Sequence, residues 1–108
     1  MNQEKVNAAA IAAKELADFM QRMEMPRWSE RYRNIENELS AGNVEIAVNL
    51  ESKIFKGGMG GLYDLYISVG NGHPTTDPDA DNELLNKLTG NVATTFSALR
   101  KVLKGYAK

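Results

Sequence analysis

Four glycines within five residues, Gly57, Gly58, Gly60 and Gly61, interrupt a chain whose other long stretches carry apolar side chains at helical spacing. Glycine takes positive φ at no steric cost and lets other atoms approach the backbone, so the run from Lys56 to Leu65 reads as a joint between elements. A chain of 108 residues has room for one core, and both sides of the joint must share it. A single helical domain over residues 1–108 is therefore expected.

Before the joint, residues 3–24 contain no proline or glycine, and Val6, Ala9, Ala10, Ala13, Leu16, Ala17, Met20 and Met23 recur at helical spacing. The alanines would let a second helix come close. Met20, Met23 and Met25 are suited to filling irregular core space, with a methionine-rich partner groove as the alternative. Pro26 fits a first helical position, where its missing N–H would have no partner in any case. Trp28, Tyr32, Ile35 and Leu39 then mark a second helix from Pro26 to about Ala41. Trp28 reads as a core anchor, and Arg27, Arg31 and Arg33, interleaved with Glu30, Glu36 and Glu38, as a solvated ion-paired face. Gly42 reads as a left-handed C-cap and Asn43 as the N-cap of a third helix, 44–55, with a stripe of Ile46, Ala47, Leu50 and Ile54. So short a connection makes helices two and three antiparallel neighbours.

At the joint, Gly57 and Gly58 end the third helix, Met59 turns into the core, and Gly61 caps a short helix over about 62–69, with Asp64 at its third position. Tyr63, Leu65, Ile67 and Val69 alternate, so a strand stays open as the alternative. Residues 70–76 form a loop. Asp77-Pro78 is a helix start: a capping carboxylate, a first-position proline, then Asp79, Asp81 and Glu83 at the positive end of the dipole. The last helix is expected to run from Pro78 to about Lys104, with Leu84, Leu88, Val92, Phe96, Leu99, Leu103 and Tyr106 as its stripe. Gly90 interrupts it at a cost of about 1 kcal/mol, which close approach of another helix would offset. The fold class is all-α: four main helices in a bundle-like domain, with the glycine-rich joint and a short extra helix between helices three and four.

Charge and composition remove several functions. Thirteen basic against fourteen acidic residues leave a net charge of -1, so no field draws the chain to nucleic acid or anionic lipid. The absence of cysteine removes disulfides, thiolate catalysis and cysteine-ligated metals, and points to a cytoplasmic home. The polar opening and charge-interrupted alanines show neither a signal peptide nor a membrane span. Asp77, Asp79 and Asp81 resemble the opening of a calcium loop, but Asn82 and Leu88 stand where glycine and a bidentate glutamate are needed. His73 is the single histidine, so a histidine-based metal cage is excluded within one chain. Ser68, His73 and Asp77 could be nominated as a hydrolytic triad, and the glycine run as a phosphate cradle. The glycines, however, lack the lysine and hydroxyl of a P-loop and the preceding strand of a dinucleotide site. No catalytic residue, cofactor or metal is assigned.

The run Gly57-Gly58-Met59-Gly60-Gly61-Leu62-Tyr63-Asp64-Leu65 resembles the hallmark of a family of small, largely uncharacterised bacterial helical proteins, Gly-Gly-Met-Gly-Ser-Leu/Phe-Asn-Asp-Leu. Here Gly61 stands where serine is usual and Tyr63 where asparagine is usual. Trp28 and the amphipathic last helix fit the same layout. Proteins of this look resemble the immunity or antitoxin proteins of bacterial competition systems, which implies a partner that is itself a protein, a toxin domain among the options. Tyr63, Asp64, Tyr66, Asp77, Asp79 and Asp81 are the partner-binding residues this implies. A homo-oligomeric structural module, as a homodimer, is the second reading, and a small hydrolase or nucleotide-handling enzyme the third. No nucleic acid or membrane partner is expected.

Overall fold

The computed structural model describes residues 3–55 and 65–106. The glycine joint, Met59, the Gly61 cap, Tyr63 and Asp64 lie outside the described residues. Among the described residues, four α-helices make up the fold: α1 (Gln3–Arg22), α2 (Pro26–Ser40), α3 (Val44–Phe55) and α4 (Pro78–Tyr106). Among the described residues there is no strand. Between α3 and α4 the described residues hold a 3-10 turn, Val69–Asn71, where the end of a short helix over 62–69 was expected, and residues 65–68 precede it without regular structure.

Helix α1 is the centre of the packing, because its small side chains let two neighbours approach. Val6, Ala9, Ala12, Ala13, Leu16, Ala17, Phe19 and Met20 are all buried on it, α2 and α4 both pack against it, and α3 folds back on α2. Helix α4 touches α3 only lightly. Tyr32, Ile35 and Leu39 from α2 join Leu85, Leu88, Val92, Phe96 and Leu99 from α4 in the same core, with Ile67 buried beside them. The 29-residue α4 accounts for an elongated outline 49 Å in its longest dimension. No helix is long and apolar enough to cross a membrane among the described residues.

Both early corners use the same backbone device. At the end of α1, the Met25 N–H donates to the Met20 carbonyl (2.8 Å) and the Glu24 N–H to the Gln21 carbonyl (3.1 Å), with Glu24 at φ 58°. This is the paired closure of a helix C-terminus that normally falls to glycine. Buried Met20 and Met25 meet the motif's usual apolar pairing, and Ser29 ties the corner by donating its hydroxyl to the Ala17 carbonyl at 2.9 Å. At the end of α2 the residue is the expected glycine: Gly42 at φ 86°, with Asn43 N–H to the Glu38 carbonyl and Gly42 N–H to the Leu39 carbonyl.

Three expectations need correction. The buried stripe of α3 is Val44, Ala47, Val48 and Glu51, while Ile46 is 51% exposed. Gly90 faces open space, so no helix comes close enough there to offset its cost. Arg33 pairs with Asp18 on α1, not with a glutamate of its own helix. Trp28, read as a core anchor, does pack against the core, half-buried, and carries the Arg31 guanidinium over its ring, 4.9 Å from the centroid.

Candidate functional site

The stretch 65–77 returns the chain to the start of α4, and its backbone is held by side chains. Asn82, on the second turn of α4, receives the Ile67 N–H on its Oδ1 (2.7 Å) and returns its amide to the Ile67 carbonyl (2.8 Å). The same amide donates to the Pro78 carbonyl at 2.8 Å, which fixes Asn82 to its own helix. An asparagine side chain thus supplies the donor and acceptor that a neighbouring strand would otherwise present. Ile67 is buried by this arrangement, while Tyr66 before it is exposed and Ser68 after it is half-buried.

The 3-10 turn is closed in a similar way. Ser68 Oγ accepts from the Asn71 N–H at 3.1 Å, Asn71 donates its side-chain amide to the Tyr66 carbonyl at 3.2 Å, and Gly72 completes the turn at φ 84°. His73 Nδ1 accepts the Ser68 N–H at 3.0 Å, so that nitrogen carries no proton here and the ring serves as a backbone acceptor. Ser68 and His73 are therefore brought together, but through the serine's amide. Its hydroxyl is engaged with Asn71, and the hydroxyl-to-imidazole contact a hydrolytic triad needs is not what joins them.

The acidic residues divide by role. Asp77 caps α4, with Oδ1 accepting from the Ala80 N–H at 3.2 Å and its carbonyl accepting from the Asp81 N–H. Asp81 is half-buried and receives the hydroxyl of buried Thr75. Both carboxylates hold the helix start in place, as capping chemistry requires. Asp79 is exposed and makes no ion pair among the described residues, one helical turn before Asn82. No group of three His, Asp or Glu side chains among the described residues is arranged to hold a metal.

What remains at the surface is Tyr66, 57% exposed, and Val69, 68% exposed, on a backbone pinned by Asn82, Ser68 and Asn71. Tyr66 belongs to the residues expected from sequence. Val69 figures there in the alternation of Tyr63, Leu65, Ile67 and Val69, and the clamp that buries Ile67 while Val69 stays exposed is made by a residue 15 positions from Ile67. Asn82 carried no local signal beyond its place in a helix.

One further titratable group is unusual. Glu51 is fully buried on α3 and pairs through Oε1 with Arg100 of α4, while its Oε2 has no hydrogen-bond partner among the described residues. Burial pushes its carboxyl above the usual range, and the Arg100 hydrogen bond opposes the shift without cancelling it. No protein-family model, curated protein or solved structure matches the chain.

Proposed function

We propose that this chain is a non-enzymatic protein-binding module of the toxin-neutralising immunity or regulatory kind, working in the cytoplasm. It engages its partner through Tyr66 and Val69, with Asp79 beside them. The observation that carries this reading is two large apolar side chains held in solvent on a stretch pinned to α4 through both backbone groups of Ile67 and braced by the Asn71 amide on the Tyr66 carbonyl. Such a surface loses little conformational entropy when covered, and an exposed tyrosine contributes both contact area and a hydrogen bond at an interface. Exposed Asp79 and Glu83 favour a partner with basic residues opposite them. The immunity class itself rests on the resemblance of the Gly57 to Leu65 run.

The test is co-purification from the protein's own cells, with attention to a toxin-like protein encoded next to it. Tyr66→Ala and Val69→Ala should each weaken the recovered complex by about tenfold or more while leaving the melting temperature unchanged. Pull-downs that recover only the chain itself, or substitutions with no effect on the complex, would remove this reading. A homo-oligomeric module is the second reading, favoured by Ile11 at 56% and Ile46 at 51% exposure on two other helices. Light scattering that finds a concentration-independent monomer would dispose of it.

A further inference from the structure

A cleft of about 350 Å³ lies between α2 and α3, and its charge sets it apart. Its apolar part is buried Ile35 with half-buried Leu50 and Ile54, and its polar part is Arg31, Asn34 and Lys53, all exposed. It has two cations in its wall and no carboxylate among its described lining residues. Four further clefts on the described surface each include an acid: Glu24 and Glu30, Glu15, Glu45, and Glu15 with Asp18. Arg31 and Lys53 are also without an ion pair among the described residues, whereas Arg33 has Asp18 and Arg100 has Glu51. In a chain of net charge -1, this is a local excess of positive charge beside apolar surface.

We propose that this cleft binds a small amphipathic anion, an aliphatic carboxylate whose chain lies on Ile35, Leu50 and Ile54 and whose head group meets Arg31 and Lys53. The volume falls within the range of small-molecule sites, which are mostly apolar with a few polar groups that fix orientation. Stacking of Arg31 on the Trp28 ring restrains the guanidinium and leaves its N–H edge available for a bidentate carboxylate. The Asn34 amide adds a neutral donor. These residues are distinct from Tyr66, Val69 and Asp79, so the cleft goes beyond the proposed partner surface and stands or falls separately from it.

The test is a methyl and amide NMR titration of the full chain with decanoate, decanol and decylammonium, each below its micellar concentration. Decanoate should give saturable shifts at Leu50 and Ile54, decanol should bind roughly tenfold more weakly, and decylammonium more weakly still. Each methylene removed from the acid should weaken binding by roughly fourfold. Arg31→Gln and Lys53→Gln should each lower decanoate affinity by roughly tenfold with unchanged melting, since both side chains are exposed. Added salt should weaken decanoate and spare decanol, a comparison made on the unaltered protein should either variant fold poorly. Decanol binding as tightly as decanoate, shifts that never saturate or map elsewhere, or salt-insensitive decanoate binding would each overturn the proposal.

Discussion

Among the described residues, two carboxylate–arginine bridges join helices, and burial sends their carboxylates in opposite directions. At the α1–α2 corner, Asp18 meets Lys14 at 3.0 Å and Arg33 at 2.6 Å in the open, with its side chain 42% exposed. Hydrogen bonds from Lys14 and then Arg33 hold its carboxyl below the usual range, with little desolvation to oppose them. At the α3–α4 junction, fully buried Glu51 meets Arg100, whose side chain reaches it from a half-exposed position, and its carboxyl moves up. The same pair of charged groups serves as a modest surface tie in one place and a costly internal one in the other. The corner is also backed by buried Ser29 and the paired backbone closure at Glu24, whereas α3 and α4 have few other contacts.

The largest effect is expected at the junction. Arg100→Met should cost about 3 kcal/mol near neutral pH in urea unfolding, because it strands a buried charge. Repeated near pH 4, the cost should shrink, since a protonated Glu51 has no charge for Arg100 to balance. A cost that ignores pH would erase the contrast between the two bridges.

The sign for Glu51 follows from its raised carboxyl: the stabilisation is present below the ordinary carboxylate range and is lost as pH rises through the folded value. Glu51→Gln should therefore gain on the native protein between about pH 4 and pH 7, read as the difference in denaturation midpoint across that range. A difference that stays flat or falls would mean that Arg100 outweighs burial.

Smaller effects belong to the corner. Ser29→Ala should lower stability by about 1 kcal/mol through loss of the buried bond to Ala17. Glu24→Gly should raise the melting temperature, with a gain of about 0.5–1 kcal/mol from relieving a left-handed non-glycine residue. The smallest change is expected from Asp18→Asn, at most about 1 kcal/mol and fading with added salt in chemical denaturation. Its native contribution, held by a lowered carboxyl, is present above the ordinary carboxylate range and disappears as pH falls through the lowered value. Were Asp18→Asn as costly as Arg100→Met, exposure would not be what separates the bridges.

The parts of the fold written in local chemistry were legible in the sequence. The four helices, the left-handed Gly42 and the Asp77-Pro78 start all depend on residues within a turn or two of each other. Helix α3 shows where that stops. Ile46, Ala47, Leu50 and Ile54 offer an apolar row, of which Ala47 is buried and Leu50 and Ile54 half-buried. Yet the buried face also takes Val44, Val48 and Glu51, a choice involving Arg100, 49 residues from Glu51. Gly90 suggested a close helix crossing, but its surroundings are open. Of the proposed surface, sequence could name Tyr66 and the acids of α4. It could not separate free Asp79 from Asp77 and Asp81, which hold the helix start, or foresee that Asn82 would set the outward face of the loop.

The Asn82 amide has one more consequence. By occupying both backbone groups of Ile67, it closes that buried residue to pairing with a foreign extended chain. An apolar display beside an unguarded edge would invite self-association into sheets. At Ile67 that invitation is withdrawn, and the exposed side chains of Tyr66 and Val69 carry more of what the loop can recruit.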